Sequence, residues 1–141
     1  MRRIAFFLLI LLSSATAAGA GETPAPADAK VYFVNLKDGD RVISPLVVRF
    51  GLSGMGIAPA GTEAPNTGHH HLFVDAPALE GDALNEAIPM DEHHMHFGKG
   101  QTETTLTLTP GKHTLQLIFA DYLHQSFDPP LHSKKITITV E

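Results

Sequence analysis

The stretch TETTLTLTPGKHTLQLIFAD, residues Thr102–Asp121, holds two apolar runs with a turn signal between them. Leucine and threonine alternate through Thr105–Thr109 of the run Thr102–Thr109, and a period of two is typical of a strand with one buried face. The second run, His113–Asp121, continues the pattern. Its inward set is Leu115, Leu117 and Phe119. Pro110-Gly111 between the runs indicates a hairpin, so the stretch predicts two strands that carry core residues.

Further short runs, rich in β-branched residues, flank this stretch, and helix signals are few. The other predicted strands are Val31–Leu36, Val42–Leu52, His69–Asp75, a short Glu92–Phe97 and Lys134–Val140. Gly54–Gly68 is predicted to be a long loop, Pro129-Pro130 to lie in another loop, and Asp82–Ala87 to form at most one helical turn. Six or seven strands at this spacing favour an all-β, immunoglobulin-like antiparallel β-sandwich, with a small closed β-barrel as the alternative.

Residues 1–20 have the pattern of an export signal. Arg2 and Arg3 precede the apolar run Ile4–Leu12, and Ala18-Gly19-Ala20 matches a small-residue cleavage site. This run is too short to cross a hydrocarbon core of about 30 Å, which disfavours a membrane anchor. We therefore expect a periplasmic or secreted protein with no membrane span after cleavage. The expected divisions are a signal peptide at 1–20, a disordered leader at 21–29 and a single β-sandwich domain at 30–141.

The charge balance and the lack of cysteine exclude several classes of function. The 141 residues include 10 Lys and Arg against 15 Asp and Glu, and cleavage would remove two Arg, taking the formal charge from −5 to −7. An acidic protein has no basic excess for phosphates, so we expect no nucleic acid partner. The absence of Cys excludes a disulfide framework and thiolate metal ligands.

Histidine is the unusual residue of this composition. Nine occur, six of them in the clusters His69-His70-His71 and His93-His94-Met95-His96. In a sandwich, the loops beside these clusters and beside His124 and His132 lie at one pole, whereas His113 begins its strand at the opposite pole. Residues i and i+2 of a strand point to one side, so each cluster offers a chelating pair.

These positions predict a transition-metal site built from imidazole. The candidate ligands are His69, His71, His94, His96, His124 and His132, and the weaker candidates are His70, His93, Asp121 and Met95. A nitrogen-rich site prefers Cu(II) to Zn(II), so we rank copper first and zinc second, with no organic cofactor. The alternative is a metal-free histidine network that braces loops through hydrogen bonds.

The expected function is metal sequestration, delivery or sensing rather than catalysis. Gly51–Met55 lacks the second glycine of a nucleophile elbow, and no HExxH motif occurs. A three-histidine site with an open position can activate water, so a metalloenzyme is a further hypothesis. The alternative function is a metal-free envelope interaction module. It would present Tyr122 and Phe127, from the loops Gly54–Gly68 and Tyr122–His132, to a protein or glycan.

Three motifs carry a resemblance to a known family. They are GHHHL at Gly68–Leu72, HMHFGKGQ at His94–Gln101 and PGKHTLQL at Pro110–Leu117. In these motifs, and over nearly all of Val31–Val140, the chain resembles a family of short exported bacterial proteins known only as a domain of unknown function. The resemblance implies export and a shared fold, and it implies no activity. His113 lies within the third motif, although the pole argument places it away from the other histidines.

Overall fold

The computed structural model describes residues 23–141, so the expected signal peptide lies outside the described residues. Within that part the protein is all-β, with one 3₁₀ turn at Gly81–Asn85. The strands are β1 (Lys30–Phe33), β2 (Arg41–Val42), β3 (Leu46–Ser53), β4 (Gly56–Ile57), β5 (Thr67–Val74), β6 (His94–Phe97), β7 (Glu103–Leu106), β8 (Gly111–Ala120), β9 (Ser126–His132) and β10 (Ile136–Val140). Among residues 23–141, no helix has the length and apolar character to cross a membrane.

The strands form two sheets, which confirms the sandwich and not the closed barrel. The smaller sheet has the order β1-β3-β7. The larger sheet has the order β2-β10-β8-β5-β4, with β6 also paired to β5 and β9 to β8. Most pairs are antiparallel, but the two-residue strands β2 and β4 pair in parallel with β10 and β5. The core lies between the sheets. Its most enclosed members are Val48, Leu72, Leu115, Leu117, Phe119 and Ile138.

The predicted hairpin at Pro110-Gly111 is wrong, although both of its strands exist. β7 pairs with β3 in the smaller sheet, whereas β8 pairs with β5, β9 and β10 in the larger one. The chain therefore crosses from one sheet to the other at this turn. Gly111 has a φ of 135°, which a residue with a side chain rarely adopts, so it permits the change of direction.

Prolines account for two other differences from the predicted strands. The expected run Val42–Leu52 is divided into β2 and β3, with Pro45 just before β3, where a proline supplies no N–H to a ladder. The expected loop at Pro129-Pro130 lies within β9, which pairs only with β8 among the named strands. The register of β8 and β9 shifts between Phe119 and Ala120 and leaves both prolines without a partner on β8, so their missing N–H groups interrupt no ladder bond.

The segment expected to be a disordered leader makes specific contacts over its described part, residues 23–29. The N–H of Ala25 donates to the carbonyl of Asp128 at 2.8 Å, and the N–H of Asp128 donates to the carbonyl of Thr23 at 2.9 Å. Ala25 and Ala29 also pack against the core. Small side chains bury little apolar area, so backbone bonding to the edge of β9 is what holds this segment.

The outer face of the larger sheet carries a second apolar layer. Its residues are Phe73, Ala76, Ile88, Ile118 and Ala120, with Leu79 packed against them. Because side chains alternate along β5, His69 and His71 share this outer face with Phe73, whereas His70 faces the main core. The histidine clusters thus lie on the outer face, where loops cover the sheet.

Candidate metal centre

β5 places two buried imidazoles side by side. It pairs with β8 on one side and β6 on the other, so both edges of its backbone are hydrogen-bonded. His69 and His71 are two residues apart on this strand, and both are fully buried. Their Nε2 atoms are 3.1 Å apart. A rigid central strand therefore fixes the first pair of nitrogens.

β6 supplies the third imidazole. In the antiparallel register, His96 lies directly opposite His71. Its ring centroid is 5.0 Å from that of His71 and 5.0 Å from that of His69. One nitrogen from each of the three rings lies within 4.8 Å of the other two. These three histidines form a group that can hold a metal ion.

A fourth imidazole reaches the group from the turn after β8. His124 has a φ of 65°, a left-handed conformation that turns the chain back over the sheet. Its ring centroid lies 4.9 Å from that of His69, 4.8 Å from that of His96 and 6.0 Å from that of His71. We call these four residues the histidine cluster.

Asp121 organises the turn that carries His124. Its carboxylate is buried, and its Oδ1 accepts the N–H groups of Leu123 and Gln125, each at 2.9 Å. Its Oδ2 accepts the hydroxyl of Thr23 at 2.7 Å. Both oxygens are thus engaged in hydrogen bonds, so Asp121, one of the weaker ligand candidates, stabilises the turn instead. Reasoning from sequence missed this role. The available signal was an Asp at the end of an apolar run, since Asp side chains often accept backbone N–H groups of the turn that follows.

A loop covers part of the histidine cluster and leaves part of it open. The N–H of Ala60 donates to the carbonyl of Gly98 at 2.9 Å, and the N–H of Gly61 donates to the carbonyl of Tyr122 at 3.1 Å. His96 and His124 are nevertheless partly exposed, unlike the two histidines of β5. Solvent therefore reaches the cluster from the side of these two rings.

Burial favours the neutral form of three of these imidazoles, His69, His71 and His96. The pKa of His69 is lowered to about 4, first by burial and then by repulsion from the neighbouring His124 and His96, against an opposing contribution from Asp121. Burial also lowers the pKa of His71, to about 2, with the same kind of contribution from its neighbours. The pKa of His96 is lowered by burial and by His124. A neutral imidazole has a free lone pair, which metal coordination requires.

Several ring nitrogens of the cluster are buried without a hydrogen-bond partner among the described residues. They are Nδ1 of His69, Nδ1 of His71 and Nε2 of His96. An unpartnered buried polar group costs roughly 1–3 kcal/mol. The contact between the Nε2 atoms of His69 and His71 makes one of them an N–H donor, which leaves the other ring with a buried Nδ1–H. The cluster is thus under-satisfied by protein groups alone.

The spacing of the nitrogens fits a four-coordinate ion. Zn–N bonds are about 2.1 Å long, so two nitrogens on corners of a tetrahedron lie roughly 3.4 Å apart. The separation of 3.1 Å between the Nε2 atoms of His69 and His71 is close to that value. One nitrogen of His96 lies within 4.8 Å of a nitrogen on each of these two rings.

Two of the six main candidates lie outside the cluster. The His94 ring contacts Phe73, with centroids 4.5 Å apart, and its Nδ1 lies 2.8 Å from Oδ1 of Asp91. Nε2 of His132 contacts Oγ of Ser126 at 3.2 Å, and burial lowers its pKa to about 4. In the register, Ile118 lies between His71 and His132, which separates them by two strand spacings of about 4.8 Å each.

Three weaker candidates also point elsewhere. His70 packs in the main core between Phe50 and Phe119, and burial lowers its pKa to about 4 despite an opposing backbone interaction with Gly51. The Nδ1 of His93 lies 2.8 Å from the carbonyl of Val74, on a half-exposed ring. Met95 packs against the main core, on the inner side of β6. Its sulfur is therefore on the opposite face from the cluster.

His113 has a structural partner at the far end of the sheet. Its Nδ1 lies 2.7 Å from Oδ2 of Asp75, and its Nε2 lies 2.9 Å from the carbonyl of Thr109. Two acceptors on the two ring nitrogens suit the doubly protonated imidazolium. The hydrogen bond to Asp75 accordingly raises the pKa of His113. This residue is an ion-pair partner that joins β8 to the end of β5.

Phe127, expected to be displayed by an interaction loop, is buried in the core beside Phe119, with stacked rings 6.0 Å apart. The long loops therefore do not present both expected aromatic residues. This counts against the interaction module in the form in which the sequence suggested it.

Comparison with known proteins assigns a family and no activity. No curated protein and no solved structure shows a significant match to this chain. A family model does match, over residues 48–141, a range that contains every member of the histidine cluster. The chain belongs to the family described as a domain of unknown function, DUF4399.

Proposed function

We propose that this protein binds a transition-metal ion in the histidine cluster, with copper as first choice and zinc as second. The observation that carries the proposal is the group of three imidazoles, the buried His69 and His71 and the partly exposed His96, whose nitrogens share one small volume. Their lowered pKa values keep them unprotonated, and several of their polar atoms lack a protein partner. Nitrogen lone pairs in such an arrangement can be donated to a metal cation.

The chemistry of the donors supports this ranking. Imidazole nitrogen suits both ions, and the general affinity order places Cu(II) above Zn(II). Met55 and Met95 pack against the core and Met90 is exposed, so none of these sulfurs supports a Cu(I) site at the cluster. We therefore assign the oxidised copper ion. Partial exposure of His96 and His124 favours reversible exchange, as sequestration, delivery or sensing requires.

We place this function in the periplasm or outside the cell, because residues 1–20 have the pattern of an export signal. The concentrations of available copper and zinc in that compartment would then set how much of the histidine cluster is occupied by metal. Detection of the protein in a periplasmic or culture fraction, shortened by about 20 residues, would support this location.

The test is titration of the purified protein with Cu(II) and with Zn(II), by calorimetry and by competition with a chelator of known affinity. We expect one ion per chain and at least a hundredfold loss of affinity in the double variant His69→Ala/His71→Ala, since two of the four nitrogens disappear. The matched control, His93→Ala/His94→Ala, removes two histidines from outside the cluster and should retain binding.

Spectroscopy separates a specific site from general histidine affinity. Electron paramagnetic resonance of the Cu(II) complex should show coupling to three or four nitrogens in the wild-type protein and in the His93→Ala/His94→Ala control. Equal affinity of the two double variants, with both folded by circular dichroism, would contradict the proposal. Tighter binding of Zn(II) than Cu(II) would reverse the ranking of the metals only.

A further inference from the structure

A basic groove runs beside β1. One wall is residues 29–33, and the other is residues 130–136, with a total volume of about 800 Å³. Lys30, Lys37, Lys134 and Lys135 line it, against Asp38 as its acidic residue. Half of the eight basic residues that follow position 20 therefore lie around one groove of an acidic protein.

Most of these lysines have no ion-pair partner among the described residues. Lys135 donates from Nζ to the carbonyl of Ala76 at 2.8 Å, but Lys30, Lys37 and Lys134 are exposed and make no salt bridge within residues 23–141. Asp38 uses Oδ1 to accept the N–H of Thr137. The groove thus has a positive charge that its own residues do not neutralise.

The groove also contains an unpaired strand edge. β1 pairs only with β3 in the described chain and forms the end of its sheet. The N–H of Val34 donates to the carbonyl of Arg49 on β3. Backbone groups alternate in direction along a strand, so those of Tyr32 also point to β3, whereas those of Val31 and Phe33 do not. The backbone groups of these last two residues point away from β3. Neither amide has a hydrogen bond among the described residues.

We infer that the β1 edge is a docking site for an acidic, extended peptide segment of a partner protein. The segment would add as a strand to β1 through the free amides and carbonyls of Val31 and Phe33. Carboxylates on it would lie near Lys30, Lys37 and Lys134. Exposed Tyr32, at 46% of its full area, offers an apolar contact beside the edge. This inference is independent of the metal proposal, because none of the cluster histidines lines the groove.

The probe is a blocked octapeptide of alternating Glu and Thr, with a Lys-for-Glu peptide as the control ligand. We expect binding of the acidic peptide alone, weakened at least tenfold by Lys30→Glu/Lys134→Glu and weakened again by added salt. Lys99→Glu/Lys112→Glu is the matched control variant, because it reverses two exposed lysines outside the groove and should leave affinity within twofold.

Amide hydrogen exchange locates the bound peptide. Binding should protect the amides of Val31 and Phe33 and leave that of Tyr32, already paired with β3, unchanged. Failure of the acidic peptide to bind at millimolar concentration, or binding without this protection, would overturn the inference. Protection that depends on protein concentration without peptide would assign the edge to a second copy of the chain. Displacement of the peptide by laurate, with protection at the same residues, would assign the β1 edge to an anionic lipid. Either of these last two results would overturn the assignment to a peptide.

Discussion

At Gly98, the absence of a side chain makes room for the histidine cluster. A Cβ placed on this residue would overlap Cε1 and Nε2 of His96 and would touch the Cβ of Ala60 at 3.1 Å. The imidazole occupies the space that any other residue would fill. Glycine is therefore needed here for close approach and not for an unusual backbone angle, a role that composition and strand periodicity do not reveal.

Gly98→Ala should weaken metal binding more than it weakens the fold. The added methyl group must displace the ring of His96, so we expect a loss of affinity of about tenfold and a stability loss at the low end of the roughly 1–3 kcal/mol that overpacking costs. Competition titration and urea unfolding measure the two effects. Gly56→Ala is the control, since its Cβ would meet Thr67 Cγ2 at an ordinary 3.4 Å. Unchanged affinity in Gly98→Ala would contradict the assignment of His96 as a ligand.

At the scale of elements, the histidine cluster joins a rigid part to an adjustable part. β5 and β6 hold His69, His71 and His96 within a continuous ladder. His124 instead depends on the turn organised by Asp121, which also receives the hydroxyl of Thr23. Ion binding would therefore fasten this turn to the sheet. The turn is where the proposed site can open.

Asp121→Ala should lower metal affinity chiefly through His124, with a smaller electrostatic effect on His69. Removing the carboxylate releases the turn, so we expect a loss of about ten- to a hundredfold, as for other residues that orient ligands. His124→Ala should cause a similar loss, and the double variant should add little to either. Thr23→Val is the control, because it removes one bond to Asp121 and leaves the turn amides bonded. Competition titrations of the two single variants and the double variant measure these losses. Strictly additive losses would show that Asp121 acts independently of His124.

The whole molecule contains many neutral, buried imidazoles. His69, His70 and His132 each have a pKa lowered to about 4, from a value of 6.5 in an unfolded chain, mainly because burial disfavours the charged ring. Such a group stabilises the folded state fully above about pH 6.5, and the contribution is lost as pH falls toward 4. His113 has the opposite shift, so its contribution is complete below about 6.5 and does not offset this loss.

The free energy of unfolding should therefore fall steeply between about pH 6.5 and 4. A shift of one histidine from 6.5 to about 4 corresponds to roughly 3 kcal/mol across this window, which is large beside a typical total of about 5–15 kcal/mol. Urea unfolding at a series of pH values measures the fall. His70→Leu should reduce the slope by one proton. Constant stability across the window would contradict the buried, neutral state of these rings.

Local sequence was sufficient for most of the strands and for the side of the sheet on which each residue lies. Side chains alternate along any strand, so the pairing of His69 with His71, and the inward sets of β8 and β10, follow from spacing alone. Such periodicity carries no information about which strands become neighbours. It therefore could not show that β7 and β8 belong to different sheets, or that residues 23–29 bond to β9.

Only the tertiary structure decided which histidines meet. Periodicity places His94 and His96 on one face, but the register puts His96 opposite His71 and His94 opposite Phe73. His132 lies in line with His71 but on β9, with Ile118 of β8 between them. A left-handed turn brings His124 to the group instead. Alternation is a property of each residue's own backbone. Register and loop closure depend instead on packing between distant segments, and they selected the members of the site.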